Sequence, residues 1–205
     1  MSPAGDAERT RAFFDAIASR YDRVFSRPRD ESRPRMARLL SLLGPPRDVL
    51  DLGVGTGREL SELLDAGHRV VGVDVSEKML ALCNQRARPI RCVLADFWRG
   101  LPFGDASFDA VIALFGTLAH ARRAGALDDL AREALRVLRP GGLFFAEAPT
   151  PAWASAHPTF EDEATGARID VIAPTMDAWR ASFAAFDVAI AETSDELTIV
   201  GRRVG

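Results

Sequence analysis

The chain has 205 residues, 47% of them apolar and 27% charged, with a formal net charge of −3. These values fit a soluble globular protein of one domain and exclude a disordered, collagen-like or disulfide-scaffold chain; the acidic balance disfavours a dedicated nucleic-acid binder. No run approaches the roughly 18 apolar residues of a membrane span, and the first residues lack the apolar centre of a signal peptide, so a cytoplasmic location with no membrane span is the expectation.

In chain order, residues 8–26 and 32–43 read as two helices, broken around Pro28 and Pro34, that can cover a ligand. They carry Arg20, Arg23, Arg27, Arg29, Arg33, Arg35 and Arg38 against Asp22, Asp30 and Glu31. That cluster is either a solvated helix face or a basic rim that receives an anionic substrate. From residue 48 onward, β-branched runs at 48–52, 69–74, 90–94, 108–114 and 143–148 alternate with amphipathic stretches at 57–66, 76–87 and 126–138. This alternation predicts βαβ units around a parallel sheet. Leu127, Leu130, Ala134 and Leu138 share one helix face, and Pro140-Gly141-Gly142 ends that helix. Cys83 and Cys92 fall on a helix and the strand after it and read as free, buried thiols, with no companions for a metal site.

After Pro149 comes a Pro-, Ala- and His-rich loop to Pro158, then a strand at 168–172 and a helix at 177–186. Strands at 188–192 and 196–202, joined by Thr193-Ser194-Asp195, suit an antiparallel hairpin closing the sheet edge. The fold class expected is α/β, a doubly wound, mostly parallel seven-stranded sheet. Residues 1–205 form one domain, with a helical cap (1–47), a ligand-binding core (48–149) and a substrate loop with C-terminal helix and hairpin (150–205).

The strand Val49-Leu50-Asp51-Leu52 runs into Gly53-Val54-Gly55-Thr56-Gly57 and then a helix, at the carboxyl end of the first strand where such sheets bind ligands. The glycines admit a close ligand, and the helix start offers N–H groups to a carboxylate. A dinucleotide fingerprint would need a third small residue at position 58, which is Arg58, so nicotinamide binding is disfavoured. Asp74 ends the second strand, 23 residues after Asp51, where a carboxylate can accept two hydrogen bonds from a ribose diol. Asp96 and Phe97 follow the third strand, an acceptor and a ring suited to an adenine; each aspartate could alternatively be a helix cap or turn residue.

The runs VLDLGVGTGREL, VVGVDVSEKML, LADFWRGLPFGDASFDAVIALFG and EALRVLRPGGLFFAEAP resemble the class I S-adenosylmethionine-dependent methyltransferases, nearest the ubiquinone and menaquinone biosynthesis branch. The resemblance covers about residues 48–149. It implies the Rossmann-like methyltransferase fold, S-adenosyl-L-methionine as cofactor and S-adenosyl-L-homocysteine as product. It implies that Asp51, Gly53, Gly55 and Gly57 surround the methionine part, Asp74 holds the ribose, and Asp96 with Phe97 meets the adenine. Leu114, Phe115 and Gly116 would face the sulfonium and the incoming acceptor, and Val54, Val75, Met79 and Ala95 are further cofactor-binding positions. The phrase FDAIASRYD resembles a lead-in of the same branch and places Tyr21 over the cofactor. Val54 departs from the usual cysteine or alanine, which changes packing more than ligand.

His120, after the fourth strand, titrates in a range that suits a base at neutral pH, and many relatives carry a histidine there as a wall of the site. His68 and His157 read as surface loop residues. A D/N-P-P-Y/F motif is missing after the fourth strand, neither cysteine follows a proline as in cytosine C5 enzymes, and no carboxylate cluster suggests a metal. The expectation is methyl transfer to a small-molecule acceptor, with Trp153, His157 and Phe160 as candidate lining. The alternatives are a non-catalytic S-adenosylmethionine-binding regulatory module and a nicotinamide-dependent oxidoreductase. Oligomeric state is not readable.

Overall fold

The computed structural model describes residues 3–25, 29–86, 90–120 and 125–204, with the backbone alone at 3–6 and 29–33. Its main sheet comprises β1 (Asp48–Leu52), β2 (Arg69–Asp74), β3 (Arg91–Leu94), β4 (Phe108–Ala113), β5 (Leu138–Pro149), β8 (Phe186–Glu192) and β9 (Glu196–Arg203). The strand order is β3-β2-β1-β4-β5-β9-β8. The first five strands pair in parallel, while β9 runs antiparallel to both β5 and β8, which is the C-terminal hairpin the sequence predicts. The order reverses between β1 and β4, and a crevice opens at the carboxyl ends of strands at such a reversal.

Side chains alternate across this sheet with a period of two. Leu50, Leu52, Val111, Ala113, Phe144 and Ala146 join Leu130 and Ala134 of α6 (Ala126–Val137) and Trp179 of α8 (Met176–Ser182) in one core. Val49, Val70, Ala110, Ile112 and Phe145 face the other way. They meet Leu39 and Leu43 of α3 (Arg29–Leu43), Leu63 of α4 (Ser61–Asp65) and Leu80 of α5 (Glu77–Asn84). A third cluster joins the N-terminal segment to the body: Phe13 and Ile17 of α1 (Pro3–Ile17) pack with Met79 and with Ile169 of β7 (Ala167–Asp170).

Several predicted boundaries move, each for a local reason. The first predicted helix ends at Ile17, and a 3-10 turn (Ala18–Arg20) leads into the single-turn α2 (Tyr21–Val24). Pro34 lies inside α3 rather than breaking it; the helix gives up one bond near its start, while Met36, Leu39 and Leu43 are buried farther along. Pro28, the other predicted breaker, lies outside the described residues, as does residue 87 at the end of the predicted 76–87 helix. The stretch after the glycine loop is a 3-10 turn (Arg58–Leu60) followed by the short α4, confined between left-handed Gly57 and Gly67. Leu138 opens β5 rather than closing α6, and Pro140-Gly141-Gly142 bulges out where the β4–β5 register shifts.

The predicted loop after Pro149 is ordered differently. Thr150 caps α7 (Pro151–Ala156) by accepting from Trp153 N–H, with proline at the helix start. A separate hairpin follows, β6 (Thr159–Asp162) with β7. Its turn is held by Asp162, which accepts from the Thr165 N–H and hydroxyl.

Candidate functional site

The glycine loop bends around the end of β2. Gly53 and Val54 both donate their N–H to the Val73 carbonyl, at 2.8 and 3.0 Å. Gly53, Gly55 and Gly57 have φ of 68°, 55° and 69°, a region that penalises a side chain. A Cβ on Gly53 would lie 2.7 Å from Thr117 Oγ1, so the loops after β1 and β4 touch at this glycine. Val54 fills the space above Gly72, its β2 neighbour: a Cβ there would meet three Val54 carbons at 2.7 Å. A glycine on β2 thus accommodates the enlarged residue at position 54.

Asp74 joins two of these elements. Its Oδ2 accepts from Gly55 N–H and its Oδ1 from Ser76 N–H, both at 2.9 Å. Burial pushes its carboxyl up, opposed by those backbone donors. Asp51 is buried at the end of β1, and burial together with the charges of Asp74 and Glu59 pushes its carboxyl well above the usual range. Asp96 caps the turn Phe97–Arg99 by accepting from Trp98 N–H at 3.1 Å.

Gly53, Gly55, Asp74 and Asp96 border one cavity, with about 930 Å³ of empty space including its open mouth. Its lining includes Tyr21, Gly53, Gly55, Asp74, Val75, Met79, Asp96, Phe97, Phe115 and His120. Asp51, Val54 and Leu114 line an adjoining recess that shares Tyr21, Gly53, Phe115 and Thr117 with the cavity. Gly57 and Ala95 border neither; Gly57 packs instead against Cys83, where an added Cβ would lie 2.6 Å from Sγ. Sequence reasoning missed Ala7, Thr10 and Phe14 from α1, Trp98 and Arg99 after β3, and Thr117 and Ala126. The FFDAI run of α1 was legible as an amphipathic helix, but nothing in its periodicity says which ring turns toward a ligand.

The N-terminal segment is latched over the cavity. Ser76 Oγ donates to Asp15 at 2.5 Å, Thr56 Oγ1 donates to Asp22 at 2.6 Å, Arg86 bonds the other Asp22 oxygen at 2.7 Å, and Arg20 pairs with Asp162 at 3.0 Å. The arginine cluster is therefore not a uniform basic rim. Arg20 and Arg35 are committed to carboxylates, Arg23 and Arg38 face solvent, Arg27 lies outside the described residues, and the side chains of Arg29 and Arg33 do too. Tyr21 lies under this segment, edge-on to Phe14 and 5.4 Å from the Arg58 guanidinium. Burial pushes its hydroxyl up to about 12, so it stays protonated at neutral pH.

At the end of β4, Phe115 holds a left-handed backbone, φ 55°, that is unusual for a bulky residue. Its N–H donates to Glu147 Oε2 at 3.0 Å, Glu147 is held by both Arg35 Nε and Nη2, and the Arg35 and Arg58 guanidinium groups lie 4.6 and 4.8 Å from the Phe115 ring. The cost of this strained turn is offset by that bracing.

His120 borders the cavity with its ring on Phe14. Its Nδ1 lies 3.2 Å from the Asp170 carbonyl, which can only accept, so Nδ1 carries the proton and Nε2 keeps a lone pair. Burial lowers its pKa, so the ring is neutral at pH 7. His68, expected on the surface, is instead buried at 3% exposure with Nδ1 accepting from Arg47 N–H. His157 is exposed and stacks on Trp153, and Phe160 packs against Phe13 and Phe25, so none of these three lines the cavity. Cys83 and Cys92 are free, Cys83 buried and Cys92 half-buried. Among the described residues there is no cluster suited to a metal ion and no helix long and apolar enough to cross a membrane.

A protein-family model described as a methyltransferase domain matches residues 49–142. The demethylmenaquinone methyltransferase of Beutenbergia cavernae is 41% identical over 147 residues, 69% of this chain and 58% of that protein. That of Mycobacterium bovis is 40% identical over 144 residues, 68% of this chain and 58% of that protein. The chain thus spans under two thirds of the length of these relatives. Among solved structures, a DhpI–SAH complex superposes with a TM-score of 0.79 at 21% identity, covering 99% of both chains. A Burkholderia thailandensis 1,6-didemethyltoxoflavin-N1-methyltransferase, with that substrate and S-adenosylhomocysteine bound, gives 0.72 at 24% identity, covering 100% of this chain and 92% of that one. The glycine loop, the acids ending β1 and β2, the strand order with β9 reversed, and these relatives together place the chain in the class I S-adenosylmethionine-dependent methyltransferases.

Proposed function

We propose that the chain transfers a methyl group from S-adenosylmethionine to a small, planar aromatic acceptor whose O–H, N–H or acidic C–H proton is taken by His120 Nε2. The observation that carries this reading is the His120–Asp170 contact, which puts the proton on Nδ1 and leaves the lone pair on Nε2 of a residue that borders the cavity. Two further features support it. Rings of Phe14, Tyr21, Trp98 and Phe115 border the cavity, and the relatives cited above act, by their names, on demethylmenaquinone and on 1,6-didemethyltoxoflavin.

The residues present fit a cationic cofactor. Asp51 and Asp74 are buried carboxyls held above their usual range; a positive group brought beside them lowers those values and is stabilised in return, whereas a pyrophosphate would be repelled. When bound, S-adenosylmethionine supplies a methyl group already activated on a sulfonium. The chain's work is then alignment, exclusion of water and movement of one proton. Alignment can remove roughly 7–11 kcal/mol of barrier in well-oriented cases. On this reading Asp51, Val54, Leu114, Gly53 and Gly55 hold the methionine part, Asp74 accepts from the ribose, and Asp96 and Phe97 meet the adenine. The α1 and α2 segment roofs the site through Ala7, Thr10, Phe14 and Tyr21, with Tyr21 lying over the cofactor as a neutral hydroxyl and Phe115 walling the acceptor side. His120 takes the acceptor's proton as the new bond to carbon forms.

The test is a panel of hydroxylated and aminated aromatic acceptors, quinols included, incubated with S-adenosylmethionine labelled on its methyl group. Label entering an acceptor, reduced by about 10² to 10⁴ in His120→Ala, supports the reading. Cofactor binding with no transfer to any acceptor would favour a regulatory module instead.

A further inference from the structure

The two thiols meet directly behind the cofactor loop. Cys83 and Cys92 place their sulfurs 3.3 Å apart, one on α5 and the other on β3. Cys83 Sγ occupies the position a Gly57 side chain would need. Cys92 pairs in register with Gly72, the residue on which Val54 of the loop rests. A groove bordered by Gly57, Ser61, Cys83, Arg86 and Ile90 reaches Cys83 and shares no residue with the cavity. Arg86, one turn beyond Cys83, bonds the Thr56 carbonyl and hydroxyl of the same loop. Nothing in the proposed methyl transfer uses either sulfur.

We propose that Cys83 and Cys92 are an oxidation site, closed to a reversible disulfide by a hydroperoxide, and that closure loosens the cofactor loop. The hydrogen bond between the sulfurs and burial both raise the Cys83 thiol, while that bond lowers Cys92 against burial; Cys92 is also the more exposed sulfur, so its thiolate is the one that meets the peroxide. That thiolate attacks the peroxide, breaking the O–O bond to give a sulfenic acid and hydroxide, which takes up a proton to become water. Cys83 sulfur then attacks the sulfenyl sulfur. The S–S bond forms, the S–O bond breaks, and a second water leaves with the Cys83 proton. Two thiols lose two electrons and two protons, and one hydrogen peroxide becomes two waters.

The structural consequence follows from distance. A disulfide requires about 2.05 Å between sulfurs, so from the present 3.3 Å the two must together close about 1.25 Å, at least about 0.6 Å of it by one of them. A gap of that size forfeits about a quarter to a half of the dispersion contact that backs a group. Movement of Cys83 removes the support of Gly57; movement of Cys92 draws on the strand behind Val54. The effect on ligand binding rests on the cofactor reading above, while the disulfide itself does not.

The test treats reduced full-length protein with equimolar hydrogen peroxide, alkylates remaining thiols, and reads intact mass and non-reduced peptides. S-adenosylhomocysteine affinity is measured by calorimetry before oxidation, after it, and after dithiothreitol. The expected result is simultaneous loss of both thiols, a Cys83–Cys92 cross-linked peptide, and an affinity about threefold weaker that dithiothreitol restores. Cys92→Ser, at the less buried position, keeps its affinity through the treatment. Thiols that stay alkylatable, or that pass to sulfinic acid without a cross-link, overturn the site. A cross-link with unchanged affinity overturns its coupling to the loop. Reduced protein that binds no S-adenosylhomocysteine would count against the cofactor reading and leave the mass result to decide the disulfide.

Discussion

Gly53→Ala probes the contact that joins the two loops around the cavity. At φ 68° the added methyl carries a backbone penalty, about 1–2 kcal/mol for an L-residue in the left-handed region. It also meets Thr117, whose Oγ1 would lie 2.7 Å and Cβ 3.2 Å away, and Thr117 cannot swing freely because that hydroxyl donates to the Leu114 carbonyl at 2.9 Å. Overpacking of this kind costs about 1–3 kcal/mol, so the variant should lose about 2–5 kcal/mol. For a chain of this length that lowers Tm by about 5–15 °C. Thr117→Ala removes the two outer atoms but not the backbone penalty, so Gly53→Ala/Thr117→Ala should recover roughly the steric half. Thermal and urea unfolding of the four proteins gives the coupling, expected at about 1–3 kcal/mol in the favourable direction. Strictly additive losses, or a Gly53→Ala protein as stable as the parent, would refute the contact between the loops.

Asp74→Asn keeps the side-chain shape but gives up one acceptor oxygen where Gly55 and Ser76 now donate, and S-adenosylhomocysteine affinity should fall about ten- to hundredfold by calorimetry. The turnover of the parent should hold through neutral pH and decline only as pH falls through the His120 pKa, which burial places below the usual value of about 6.5; rate profiles of His120→Ala should lack that decline. Stability has a related pH dependence, because burial lowers His68 and His120 alike. Below about pH 6.5 the unfolded chain takes up protons that the folded chain does not, so the stability these groups contribute is complete above that pH and is lost as pH falls through their folded-state values. The slope is at most about 1.4 kcal/mol per pH unit for each histidine. His68→Gln, which keeps an acceptor for the Arg47 N–H without titrating, should flatten urea-unfolding stability between pH 6.5 and 5; an unchanged slope would remove His68 from the account.

Where the chain repeats a period, its structure could be read in advance. The βαβ alternation from residue 48, the glycine loop, the acids at Asp51, Asp74 and Asp96 and the final hairpin all depend on local pattern, and they stand close to where that pattern puts them. What escaped depends on side chains meeting across the chain. His68 looks like a turn residue beside Gly67, and only the fold supplies the Arg47 N–H, 21 positions away, that makes its burial tolerable. Likewise the left-handed turn at Phe115 needs Glu147 from β5 and Arg35 from α3, which no local window contains. The hairpin of β6 and β7 carried a signal that was overlooked, Asp162 three residues before Thr165 with Gly166 after it, the chemistry of a tight turn. Trp153 and His157 were aromatic and near Pro158, but their helix turns them toward each other.

The cavity between the glycine loop and the N-terminal roof is expected to take an adenosyl cofactor. Thermal unfolding with S-adenosylhomocysteine, S-adenosylmethionine or NADH tests it most directly, since a ligand at about 100 times its Kd stabilises by roughly 2.7 kcal/mol, on the order of 5–10 °C for a chain this long. Both adenosyl ligands should raise Tm in the parent, the rise should shrink in Asp74→Asn, and NADH should have no effect. A shift with NADH alone, or with none of the three, would contradict it.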